Sequence, residues 1–175
     1  MKNQRARAWP ATAFLTGLLL LSQACSPPPI NRERAAKLIT EQKLPEPVES
    51  FSYRLDDGFR YRLLEACEQT GAITLEGEGL DLELRITPAG REHFRRVMKT
   101  RVGETLQYTL EFRTPVTSRL VVVTALQNMG PRNKQVGYTW RYDCPPLLAR
   151  CTTLNSEPRP GTARIYAVKD RWKVK

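Results

Sequence analysis

Histidine is almost missing from this chain: His93 is the only one among 175 residues. The four cysteines contain no Cys-x-x-Cys spacing, so a zinc-type ligand set has no basis in the sequence, and no metal or cofactor is expected. G-x-S-x-G, H-E-x-x-H and a phosphate-cradling glycine loop are absent as well. His93 thus has no nucleophile motif beside it. Asp56, Asp57, Glu76, Glu78 and Glu83 could form carboxylate pairs by chance, but spacing alone nominates no acid and base. No catalytic residue is assigned. The uncharged apolar stretch 11–22 is shorter than the roughly 20 residues that a bilayer-spanning helix needs.

What the chain does have is a patterned start. Lys2, Arg5 and Arg7 precede that apolar stretch, which runs into Leu21-Ser22-Gln23-Ala24-Cys25. A basic flank, a short apolar core and a small residue at the cleavage point are the layout of an export signal. With Leu21 and Ala24 ahead of Cys25, the segment resembles the precursors of bacterial lipoproteins. That resemblance implies a signal peptide over 1–24 and lipidation (palmitate) of Cys25. Ser26, which is not Asp, implies sorting to the outer membrane of a Gram-negative cell, with the domain facing the periplasm. The alternative is an ordinary secretory signal cleaved after Ala24, which leaves Cys25 as a thiol.

Removing residues 1–24 takes away three of the 28 basic residues and none of the 18 acidic ones, so the remaining 151 residues carry a formal charge of +7. Such a balance favours polyanions, namely anionic lipid, acidic polymers or nucleic acid, without speaking to fold. A basic surface that merely reflects arginine-rich composition reads the same way. Beyond Cys25 the cysteines number three, an odd count for an oxidising compartment. Cys144 and Cys151 flank six residues that a bent loop can close, while Cys67 falls on an apolar helix face. The expected disulfide is therefore Cys144–Cys151, with Cys67 buried and free.

Ser26 and the three prolines after it form a short extended tether, which keeps the folded part within roughly 20 Å of an anchored leaflet. Asn31 can cap a helix over 32–43, ended by Pro45 and Pro47, and 45–56 reads as a loop or partly extended linker. A second helix over 58–70 places Phe59, Leu63, Cys67 and Thr70 on one face and stops at Gly71. Alternation over 73–86 about Gly77-Glu78-Gly79 predicts a hairpin. Thr87-Pro88 then opens a third helix to residue 100, with Phe94, Val97 and Met98 inward and Arg95, Arg96 and Lys99 outward. Helix, helix, hairpin, helix, with the join Leu84-Arg85-Ile86-Thr87-Pro88-Ala89-Gly90-Arg91, resembles winged-helix domains over 31–100.

The rest is strand-like: 106–112, 118–126, 136–142, and a last hairpin of 163–168 with 172–174 about Lys169-Asp170. Tyr138, Trp140 and Tyr142 share one strand face, as a core surface or as a stacking platform for sugars or bases. The expected fold is α+β: N-terminal helices with a winged-helix-like hairpin, packed with a C-terminal antiparallel sheet. The expected divisions are a signal peptide (1–24), an anchor and tether (25–30), a helical and hairpin part (31–100) and a β part (101–175). Arg32 and Arg34 beside the anchor, and Arg91, Arg95, Arg96 and Lys99, are the candidates for an anionic surface. The leading expectation is an envelope lipoprotein with a periplasm-facing binding or scaffolding domain, whose partners are the membrane through its lipid and an envelope protein or anionic polymer. A cell-wall or lipid-acting enzyme and a nucleic-acid-binding winged-helix module are the alternatives. Export to the envelope argues against nucleic acid.

Overall fold

The computed structural model describes residues 28–175. The signal segment, Cys25, Ser26 and Pro27 lie outside the described residues. Helix α1 (Arg32–Gln42) begins where the Asn31 side chain accepts the Arg34 backbone N–H at 2.8 Å. It buries Ala35 and Ile39. Helix α2 (Gly58–Glu68) is capped by Asp57, which accepts the N–H groups of Phe59 and Arg60. It ends at Gly71, whose φ of 75° suits a residue without a Cβ. Between the helices lies β1 (Val48–Arg54), in a stretch that its flanking prolines made read as a loop or partly extended linker.

The hairpin after α2 forms as its alternation predicts. β2 (Ile73–Glu76) pairs with β3 (Glu83–Ile86) from Ile73 opposite Ile86 to Glu76 opposite Glu83. A 3₁₀ turn over Gly79–Asp81 shortens the second strand. The third helix is not there. Residues 88–100 form a 3₁₀ turn, Gly90–Glu92, and then β4 (Phe94–Val102). The physical reason lies one step further along: Gly103, at φ 63°, and Glu104 make a two-residue loop, so β4 folds back on β5 (Thr105–Gly130) with Val102 opposite Thr105. Ladder pairing along eight residue pairs outweighs the weak helical preference of a segment holding Val97, Thr100 and Val102. The order over 31–100 is accordingly helix, strand, helix, hairpin, strand, and the expected boundary at 100/101 falls inside β4.

The architecture is mixed α+β, with β5 as the spine of a curled six-stranded antiparallel sheet. The two runs expected as separate strands are one strand of 26 residues. Its first half is flanked by β1 and β4; its second half pairs with β6 (Asn133–Asp143), followed by β7 (Arg159–Val168) and β8 (Arg171–Val174). Pro115, which has no N–H to give a ladder, sits at the handover, after the β4 pairing ends at Phe112 and before the β6 pairing starts at Thr117. The run Leu120-Val121-Val122-Val123 lacks alternation because β5 is bulged there. Val121 and Thr124 are extra residues against β6, so Leu120 and Val123 face the same way, opposite Trp140 and Tyr138.

All three helices cover the inner face of this sheet. The first core cluster joins Leu64 and Cys67 of α2 and Leu148 of α3 (Pro146–Cys151) to Tyr53 of β1 and to Leu106, Tyr108, Leu110 and Phe112 of β5. The second packs Ala35 and Ile39 against Val123, Val136, Tyr138, Ala163, Ile165 and Trp172, and Trp140 touches both clusters. The aromatic ladder is thus core. Phe59, expected inward, is exposed, and Leu64 takes the buried position on α2.

The disulfide differs from expectation. Cys67 pairs with Cys151, with Cα atoms 4.3 Å apart and a sequence separation of 84, and Cys144 is the buried free thiol. Helix α3 explains the change: it carries Cys151 into the first cluster beside Cys67, while Cys144 precedes the helix on the strand end. The buried Tyr53 hydroxyl donates to the Cys151 carbonyl at 2.6 Å, fixing the same corner. Closing so long a loop stabilises by about 4 kcal/mol in the chain-entropy account. Burial pushes the Cys144 thiol from 9.0 up to about 11. Non-reducing peptide mapping is expected to join the Cys67 and Cys151 peptides. Cys144 is expected to alkylate at neutral pH only after unfolding. A Cys144–Cys151 link would contradict this arrangement.

Candidate functional site

With the helices on one side, the C-terminal half of the sheet turns its other face to solvent. Register decides which side chains stand there, because directly opposed residues of neighbouring strands share a face. On the β7–β8 hairpin the outward pairs are Tyr166 with Lys173 and Val168 with Arg171, and the backbones of Arg164 and Lys175 exchange hydrogen bonds at 3.3 and 2.9 Å. Their inward neighbours Ile165 and Trp172 are buried. Further across, Gln135 stands opposite Arg164, Gly137 opposite Thr162 and Ala125, and Arg141 opposite Arg119.

The outer face therefore carries Arg119, Arg141, Arg164, Arg171, Lys173 and Lys175. Among the described residues of its four strands, Asp143 is the one acidic side chain on it, 3.1 Å from Arg119 Nε. Tyr166 and Val168, 36% and 42% exposed, sit among the cations of the hairpin. Aromatic and aliphatic groups interleaved with long basic side chains suit a surface that is apolar at its base and anionic at its top, since the Lys and Arg stems lie along apolar area while their charged ends reach outward. Two shallow concavities break this face. One, of about 410 Å³, is lined by Gln135, Thr162, Ala163, Arg164 and Lys175. The other, of about 240 Å³, is lined by Arg119, Leu120, Val121 and Arg141.

A Cβ on Gly161 would stand 2.5 Å from the Tyr138 ring, so the ring packs directly on the β7 backbone. At the inner edge of the same strands, the Arg159 guanidinium lies over two aromatic rings of β6, 5.6 Å from Trp140 and 5.1 Å from Tyr142. It also donates to the Thr153 carbonyl at 3.2 Å and to Asn155 Oδ1 at 3.1 Å. Arg159 thereby pins the 152–158 connection to the sheet and is spoken for.

The six cations named from sequence do not form one patch. Arg95 and Arg96 both pair with Glu111 across the β4–β5 ladder. Lys99 donates to Glu83 Oε1 and to the Leu82 carbonyl, each at 2.9 Å, and lies over the Tyr108 ring. These are strand-to-strand ties. Arg91 is exposed in the 3₁₀ turn. Arg32 and Arg34 are exposed on the first turn of α1, the helix that packs on the β5–β8 end, whereas β4 borders the opposite half of β5. His93 sits after the turn with its backbone tied to Gly90 and Arg113. The outer-face cations were missed from sequence; for Arg171, Lys173 and Lys175 the available signal was their alternation with Trp172 and Val174, a period-two pattern with one charged face.

Among the described residues no cluster of three metal-ligating side chains occurs, and no helix is long and apolar enough to cross a membrane. The geometry offers fixed cations on a solvent-facing sheet, which is a means of holding anions. Replacing Arg159 with Ala is expected to lower stability by about 1–2 kcal/mol in urea titration, through loss of the two ring contacts and the hydrogen bonds to 153 and 155. An unchanged midpoint would show that the 152–158 connection is held by other means.

No family model matches this chain, and neither a curated protein nor a solved structure matches it.

Proposed function

We propose that this protein is a lipid-anchored envelope lipoprotein whose α+β domain is a binding or scaffolding module held close against its own membrane. One observation carries the reading beyond the signal pattern: Trp172 Nε1 donates to the Pro28 carbonyl at 2.8 Å. The start of the tether is thereby tied to edge strand β8, and three residue steps separate Pro28 from Cys25. A fully extended chain covers about 3.3–3.6 Å per residue, so an acylated Cys25 would lie within about 11 Å of Trp172's partner. That is half the reach that the free tether would have.

The side chains beside this point support the same reading. Arg32 and Arg34 open α1, which packs on the inner side of edge strand β8, and Arg171 and Lys173 point outward from that strand, with Lys175 just beyond it. Each such cation close to an anionic leaflet is favoured by about 1 kcal/mol. An anionic surface reached by the β8 edge accounts for the hairpin cations, which among the described residues of β7 and β8 have no acidic side chain on their own face.

Two measurements test this reading. Mass analysis of the chain isolated from membranes is expected to show an N-terminal peptide that begins at Cys25 and carries acyl groups; an unmodified Cys25 would overturn the anchor. A soluble form beginning at Ser26 is expected to bind vesicles rich in phosphatidylglycerol in low salt and not neutral vesicles. Combined Arg171→Ala, Lys173→Ala and Lys175→Ala should weaken that binding by roughly a hundredfold. Equal binding to neutral vesicles would remove the surface contact and leave a protein partner as the function of the domain.

A further inference from the structure

The second concavity of the outer face has a charge arrangement that the fold does not complete. Arg119 on β5 and Arg141 on β6 are directly opposed. Like charges in that relation destabilise a ladder, so a sheet that keeps them needs counter-charge nearby. Asp143 supplies it to Arg119. Arg141 receives none: its Nε is buried and has no hydrogen-bond acceptor among the described residues. A buried guanidinium N–H without an acceptor is costly, and native structures keep few such groups outside sites where something else fills the place.

The wall of the concavity is the β5 bulge. Val121 is the extra residue there, and it is 49% exposed although it is a large apolar side chain. Bulges commonly re-aim a side chain at the edge of a site. The bulge sets Val121 next to the two guanidinium groups, around about 240 Å³ of space that Leu120 also borders. That is below the roughly 300–1,000 Å³ of pockets for drug-sized ligands, so the occupant is a small group. Two arginines and one aspartate leave a local charge of +1, which a monoanion balances and a dianion would overshoot.

We propose that Arg119 and Arg141 form a binding site for a monoanionic oxyanion that bears a short aliphatic group, either a carboxylate or a phosphodiester. The anion's oxygens accept from the Arg141 and Arg119 guanidinium groups, and the aliphatic group rests on Val121. The planar guanidinium fork suits both anions, because each presents two oxygens in one plane to it. The site lies near the β5–β6 end of the sheet, and its occupancy does not depend on the lipid anchor.

The test follows the arginine Nε–H resonances of the full chain in non-ionic detergent during titration with isobutyrate, dimethyl phosphate, neutral isobutyramide and sodium chloride. A saturable shift of the Arg141 Nε–H with either organic anion, absent with isobutyramide and chloride, supports the site, and the tighter anion identifies the source chemistry. Arg141→Gln should weaken that anion by at least about tenfold when read on Arg119. Val121→Asp, which brings a carboxylate of the chain's own into the concavity, should shift the Arg141 Nε–H without ligand and abolish the response to anion. The wild-type titration stands even if a variant fails to fold. No saturable shift across the millimolar range, an equal shift with chloride, or undiminished binding in Arg141→Gln overturns the proposal.

Discussion

A single strand, β5, has to present an apolar face to two different sets of covering elements, and the rest of the structure follows from how it does so. Leu106, Tyr108, Leu110, Phe112 and Val116 serve the first cluster; Leu120, Val123 and Leu126 serve the second. Strict alternation would carry Val121 or Val122 into the core in place of Val123. The bulges at Val121 and Thr124 restore the facing, so 26 residues keep one inner side. Pro115 allows the change of neighbours midway without an unmet backbone donor in either ladder. Trp140, in contact with both clusters, is the side-chain counterpart of the same continuity.

Covering one face leaves the other free, and the functional reading rests on that asymmetry. Helices α1, α2 and α3 all pack on the inner face, and the Cys67–Cys151 bridge locks the last two together where Tyr53 also binds. The outer face of the C-terminal strands is left to solvent with a net excess of cations. Docking of Pro28 on the inward Trp172 ties the tether to edge strand β8, from which Arg171 and Lys173 point to the other side. The proposed oxyanion site and the proposed membrane contact then occupy two regions of one surface, at the β5–β6 and the β7–β8 strands.

Local signals were legible where they are short-range. Asn31 caps the first helix as its sequence announces, Gly71 ends the second, and Lys169-Asp170 turns the last hairpin. The failures share a cause. At β1, Pro45 and Pro47 mask Phe51 and Tyr53, whose alternation acquires meaning only beside β5. At β4, Phe94, Val97 and Met98 fit helical spacing because a bulge near Arg95 breaks the period of two; the pairing with 105–112 decides the outcome. Cys67 and Cys151 are brought together by the crossing of two helices 84 residues apart, which no spacing rule reaches, whereas proximity in sequence favoured Cys144. For the cationic face the pattern was present in 171–175, but the register that adds Arg164, and that opposes Arg119 to Arg141, comes only from the ladder.

The continuity of β5 makes the two core clusters one cooperative unit, and amide hydrogen exchange read residue by residue along that strand tests this directly. If the account holds, the amides around Leu110 and those around Val123 exchange with the same, highest opening free energy and lose protection together as urea is added. If the half paired with β6 opens at lower denaturant while the half between β1 and β4 stays protected, the chain is two weakly joined units, and the linkage drawn here from the tether through β8 to the rest of the fold is contradicted.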